Sequence, residues 1–209
     1  MTNASSLREA LSIPPDPPFE MDLPPGWSRR EPDDDTLRDM LAELRQRAMR
    51  HQRPDLYAHL KPALEASFED MRGAGVFAFF SPADPDPGTL WLPTSISASI
   101  RRAEPGETLD ALVRTLVRQY GAQPLLDDRR TLWFEREETR RAADGSIVAH
   151  SRVYLTPMPG SRRRRALQLV AGFGRDPQTP ADDPALERLR GLLDACVSTV
   201  RWYPAGAAS

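Results

Sequence analysis

The stretch from Thr131 to Phe173 constrains this chain more than any other. Three β-patterned runs follow one another there: TLWFEREETRR, SIVAHSRVYL and RRRRALQLVAGF, separated by AADG and MPGS. Asp144-Gly145 between alternating runs is among the strongest short hairpin signals. Strands joined by connections this short must be antiparallel, because a parallel pair needs a crossover of a dozen or more residues. Two further runs add strands, GVFAFF at 75–80 and TLWLPTSISASIRR at 89–102, where Ile96, Ala98 and Ile100 alternate and Pro93 weakens the strand.

Helical periodicity fills the spaces between these runs. Leu37, Met40, Leu41, Leu44 and Ala48 recur at helical spacing after Asp33 to Asp35, which supply a cap and the negative charge a helix start favours. Pro54 ends that helix and opens a second, with Leu56, Leu60, Leu64 and Met71 on one stripe, Phe68 beside it, and Pro62 as a kink or the true start. Thr108 caps an amphipathic helix carrying Leu109, Leu112, Val113, Leu116 and Val117, which Gly121 stops. A final helix carries Leu186, Leu189, Leu193, Cys196, Val197 and Val200. Serial hairpins with helices before, between and after predict an α+β fold: an antiparallel sheet of five to six strands. The 108–120 and 186–200 helices are expected on a single apolar face. FEMDL, Phe19 to Leu23, reads as a short half-buried strand turned by PPG. Residues 1–18 read as a disordered proline-rich tail and 19–209 as one domain.

Centring the first hairpin on Asp144-Gly145 pairs Glu137 with Arg152, Phe134 with Leu155 and Arg136 with Val153. SRRRR, Ser161 to Arg165, then becomes a solvated strand end that protects an edge, with Arg162 and Arg164 on one face and Arg163 and Arg165 on the other. A strict Pro159-Gly160 turn sets Leu155 against the parity of Leu167, so a longer loop or a bulge is needed to bring both to one side.

Charge does not rescue a nucleic-acid reading. Between Asp127 and Arg165 ten arginines stand against six acids, but the chain as a whole carries −2. Lys61 is the sole lysine, which makes 27 of the 28 basic residues arginine and, alongside 21 prolines, marks the bias of GC-rich coding. The local aromatics Trp133, Phe134 and Tyr154 sit among glutamates that repel phosphate. Any affinity for nucleic acid is expected to be weak, non-specific and salt-sensitive.

Catalytic and metal patterns are also missing. Cys196 is the only cysteine, on an apolar stripe where thiols are inert, and no GxSxG elbow, HExxH or phosphate-cradling loop occurs. No cofactor or metal site is expected. The enzymatic alternative is a small hydrolase or transferase that uses His150 with Glu137 or Glu138 on the sheet. The first residues lack a basic start followed by an apolar run, and no apolar run of about 20 residues occurs, so no leader and a cytoplasmic protein without membrane contact are expected.

Two segments resemble a known family. FEMDLPPGW, Phe19 to Trp27, is similar to the opening of Mog1/PsbP-like domains, and LLDACVSTVRW, Leu192 to Trp202, resembles their closing helix and terminal strand. The resemblance implies an uncharacterised actinobacterial type, a non-catalytic protein-binding scaffold and, for some members, service beside a specialised secretion system. The expected binding surface is an exposed sheet face with Trp133, Tyr154 and Arg152 as anchors, extended by Arg162 and Arg164. The alternative places those aromatics beneath the 35–72 helices. A third reading makes Arg162 to Arg165 a weak site for nucleic acid or an acidic partner.

Overall fold

The computed structural model describes residues 17–83, 88–90, 92, 94–127, 129–142 and 145–203. The tail up to Asp16, Pro93 and Asp144 lie outside them. The elements are β1 (Phe19–Glu20), β2 (Trp27–Arg30), α1 (Asp34–Arg50), α2 (Pro54–Gly73), β3 (Val76–Pro82), β4 (Thr94–Arg102), α3 (Asp110–Tyr120), β5 (Gln123–Pro124), β6 (Leu132–Ala142), β7 (Gly145–Pro157), β8 (Arg165–Arg175), α4 (Pro184–Ser198) and β9 (Arg201–Trp202). The fold is α+β. Seven antiparallel strands run in the order β2-β3-β4-β8-β7-β6-β5, and β1 pairs with β9 in a separate two-stranded sheet. The five long strands are those the alternation predicts, and β2 and β5 are short additions at the two edges.

Both faces of the large sheet are covered. Tyr154, Leu169 and Ala98 stand in cross-strand register on one face, and Ala78 follows in β3. All four are buried. Leu186, Leu193, Cys196 and Val197 of α4 cover that face, together with Phe19 of β1. The opposite face carries Phe134 and Val153, with Leu155 and Ala166, under Leu109 and Leu116 at α3. Farther along it, Phe79 meets Phe68 of α2 edge-on at 5.7 Å. The expectation of one covered face is therefore corrected. RVYL buries Arg152 to Leu155 without a break, the mark of a strand packed on both sides. A strand that supplies both cores needs both helices, and α3 and α4 lie on opposite faces.

The register also differs from expectation. Glu135, not Glu137, lies opposite Arg152; Phe134 lies opposite Val153, Arg136 opposite Ser151, and Leu132 opposite Leu155. Ladder pairing continues to Ala142 opposite Gly145, so Gly145 belongs to the strand and is not a central turn residue. The slip is two residues, and a period of two leaves every side chain on its expected face. Between β7 and β8 the longer connection does occur, but it sets Leu155 opposite Gln168 and Thr156 opposite Leu167. Leu155 and Leu167 thus serve different cores.

Local chemistry explains the ends. Asp33 caps α1, its carboxylate accepting from Thr36 N at 2.8 Å, and Asp183 caps α4 by accepting from Ala185 N. Pro54 opens α2, and the helix runs through Pro62 without ending. Leu109 occupies the cap position of α3, with Thr108 Oγ1 accepting from Asp110 N at 3.4 Å, and Gly121 closes the helix in left-handed backbone. In α2 the predicted stripe is only partly covered, since Leu56 and Leu60 are exposed. No helix among the described residues is long and apolar enough to cross a membrane.

Candidate functional site

Alternation puts Trp133, Glu135 and Glu137 on one face of β6, and His150, Arg152 and Tyr154 on the same face of β7. That face lies beneath α4, where Arg190 and Asp194 interrupt the apolar stripe. The result is a cluster of three carboxylates, three guanidinium groups, an imidazole and a phenol.

Arg152 sits at the centre and is 4% exposed. Its Nε and Nη2 donate to Asp194 Oδ1 and Oδ2 at 2.8 and 2.7 Å, a bidentate fork of the strongest kind. Its Nη1 donates to Glu135 Oε2 at 2.9 Å, and its guanidinium carbon lies 3.6 Å from the centroid of Trp133. The Tyr154 hydroxyl donates to Asp194 Oδ1 at 2.7 Å. Burial and the Asp194 charge push that phenol well above its ordinary range. Burial works against the Arg152 charge, but the Asp194 and Glu135 carboxylates outweigh it and raise its pKa.

Glu135 joins strand to helix. Arg190 Nη2 donates to Oε1 at 2.8 Å and Nε donates to Oε2 at 3.1 Å, while Arg190 Nη1 reaches Ala181 O and Glu187 Oε1. Burial alone would raise the Glu135 pKa, but hydrogen bonds from Arg190, His150 and Arg152 outweigh it and hold the pKa at about 2. His150 is fully buried and stacks on Phe173 with ring centroids 4.8 Å apart. Arg175 Nε donates to His150 Nε2 at 3.1 Å, so that nitrogen carries the lone pair and Nδ1–H donates to Glu135 Oε1 at 2.7 Å. Arg175 Nη2 completes the ring by donating to Glu137 Oε2 at 3.3 Å.

Ligand atoms of Glu135, Glu137 and His150 lie within 4.8 Å of one another, a spacing compatible with a metal ion. The donor set argues against one. Both ring nitrogens of His150 and both oxygens of Glu135 are already engaged, and the guanidinium groups of Arg152, Arg175 and Arg190 converge on the same carboxylates. A dication would face three fixed positive charges. Glu138 stands opposite Ala149 on the other face of the hairpin and pairs with Arg140, away from His150.

The expected binding face is corrected accordingly. Tyr154 and Arg152 are buried and Trp133 is half-buried, all beneath α4 and not beneath α1 and α2. Arg162 and Arg164 are exposed, but they belong to a turn and not to a strand end, because β8 begins at Arg165. Edge protection falls instead to β6: β5 pairs only with Leu132 and Trp133, leaving the charged run beyond them as a free edge. Sequence reasoning missed Glu135, Arg175, Arg190 and Asp194. One signal was present: Leu186, Arg190, Leu193, Asp194 and Val197 fall on one helical face, so two charged residues sit within an apolar stripe.

No protein-family model matches this chain, and no curated protein matches it. Among solved structures, a crystal structure from Bacteroides thetaiotaomicron VPI-5482 aligns at 11% identity with a TM-score of 0.42. The alignment covers 91% of this chain and 47% of the other, so the chain spans about half the length of that protein.

Proposed function

We propose that the protein is a non-catalytic binding or scaffold module. The observation that carries this reading is the saturation of the cluster around Arg152, where the guanidinium, carboxylate, imidazole and phenol groups are paired with one another. A general base needs a free lone pair within reach of substrate. His150 has its Nε2 lone pair taken by Arg175 and its ring buried, and Glu135 is held ionised by three donors. Cys196 is buried too, and burial pushes its thiol up, away from nucleophilic use. The cluster reads as a clamp that sets α4 on the sheet.

The Mog1/PsbP-like resemblance belongs to the same proposal, and with it an accessory role beside an actinobacterial secretion system. The α+β sheet supports it, as does the pairing of the two segments that carry it, Phe19 opposite Trp202. A reducing cytoplasmic setting fits a lone buried thiol. The test is a panel of hydrolase and transferase substrates assayed with the wild-type chain and with His150→Ala. No turnover is expected from either. Turnover by the wild type that vanishes in His150→Ala at unchanged melting temperature would overturn the reading in favour of an enzyme.

A further inference from the structure

Left-handed backbone strains a residue that carries a Cβ. Among the described residues four that are not glycine adopt it, Gln52, Arg129, Arg162 and Arg163. Three are arginines, and Arg129 and Arg163 line one cavity of about 280 Å3. Its floor is aliphatic, made by Leu109, Leu112, Leu132 and Leu155. Arg129, Arg130 and Arg163 line it with one acid, Asp110, which meets Arg163 at 3.4 Å; the Arg163 side chain is largely in solvent and that of Asp110 is half-buried. Arg129 and Arg162 make no ion pair among the described residues.

The turn that presents these arginines is tightly held. Leu109 N donates to Arg163 O at 2.8 Å and Ala103 N donates to Arg164 O at 2.9 Å. The buried Ser161 hydroxyl donates to Met158 O at 2.7 Å. Strained backbone persists only where the surroundings over-determine it, and such places cluster at ligand clamps. This turn is over-determined from the β4–α3 connection and from its own base.

We propose that this corner captures an acidic segment of a partner protein. One apolar side chain of the partner enters the cavity, and neighbouring carboxylates meet Arg129, Arg162 and Arg163. The assignment deepens the binding-module reading and rests on it. Three observations set the chemistry of the partner. Arginine clusters recognise acidic motifs through charge complementarity, and the rim carries an excess of positive charge. The cavity falls just below the range of about 300–1,000 Å3 typical of small-molecule sites, a size that suits a single side chain. Its lining offers no aromatic ring for base stacking, which disfavours a nucleic acid.

Fluorescence anisotropy of a labelled, short Glu-rich peptide with one central leucine tests this, with the full chain titrated at low and near-physiological salt. Binding is expected, weakened about tenfold or more both in Arg129→Gln/Arg163→Gln and when serine replaces the peptide's leucine. The control Arg45→Gln, on the exposed side of α1, should bind like wild type. Absence of binding, affinity indifferent to the leucine, or affinity untouched by the double variant at unchanged melting temperature would each overturn the assignment. Tighter binding of duplex DNA at the same salt, lost in the double variant, would give the corner to nucleic acid instead. Turnover dependent on His150 sinks the module reading itself. Peptide failure without turnover sinks only this assignment.

Discussion

Arg152 and Glu135 illustrate how much rides on single side chains. A buried ion pair contributes little net stability, yet removing one partner strands the other, at a cost of roughly 3–5 kcal/mol. Glu135→Gln leaves Arg152 and Arg190 without their shared carboxylate and is expected to lower the urea midpoint by a corresponding amount. The pH dependence has a definite sign. Glu135 carries a folded-state pKa of about 2 against an ordinary 4.5. Its contribution is therefore complete above pH 4.5 and is lost as pH falls toward 2. The loss is roughly 3 kcal/mol at about 1.4 kcal/mol per unit. Denaturant melts across that window should show the wild type losing more stability than Glu135→Gln; parallel losses would refute the ionised clamp. Gly26 is a second critical position. It sits at φ 74° in the Pro24–Trp27 turn, and a Cβ there would overlap Thr89. Gly26→Ala should cost at least about 1–2 kcal/mol by the left-handed penalty alone, read as a drop in melting temperature.

The elements show the same physics at the next scale. Because β7 and β8 supply two cores, α3 and α4 are equivalent as lids. Leu193→Ala beneath α4 and Leu116→Ala beneath α3 should each cost about 2–5 kcal/mol, the ordinary range for a buried leucine. A helix that did not cover the sheet would leave its leucine nearly silent, so chemical denaturation of the two variants tests both lids. Turns tolerate more. Arg162 and Arg164 are exposed, and among the described residues their side chains make one hydrogen bond, from Arg164 Nε to Glu107 O at 3.3 Å. Arg162→Gln/Arg164→Gln should therefore shift stability by no more than about 1 kcal/mol. A larger fall in melting temperature would mean that the turn holds the fold.

At the scale of the whole molecule, the two ends of the described chain meet. Phe19 pairs with Trp202, Arg201 Nη2 donates to Asp22 Oδ1 at 2.7 Å, and the Tyr203 hydroxyl donates to Glu20 Oε2 at 2.6 Å. Phe19 also packs on Phe77 and Phe80, each with a ring-centroid separation of 6.2 Å, so the end pairing closes over the main core. Trp202→Ala should loosen β1 before the seven-stranded sheet; faster amide exchange at Glu20 with β7 protection retained would show it. Strand and helix placement, the α+β class and the inward parity of β8 were legible from the sequence alone. They depend on periodicity and capping, which are local and survive a two-residue error in register. The covered second face, the pairing of Glu135 with Arg152 and the burial of Tyr154 were not legible. Each depends on what lies across the sheet or above it, where Arg190 and Asp194 arrive from about 40 residues or more along the chain. Sequence alone determined which residues share a face; only the tertiary structure decided what covers that face, because burial of a charge is settled by partners distant in sequence.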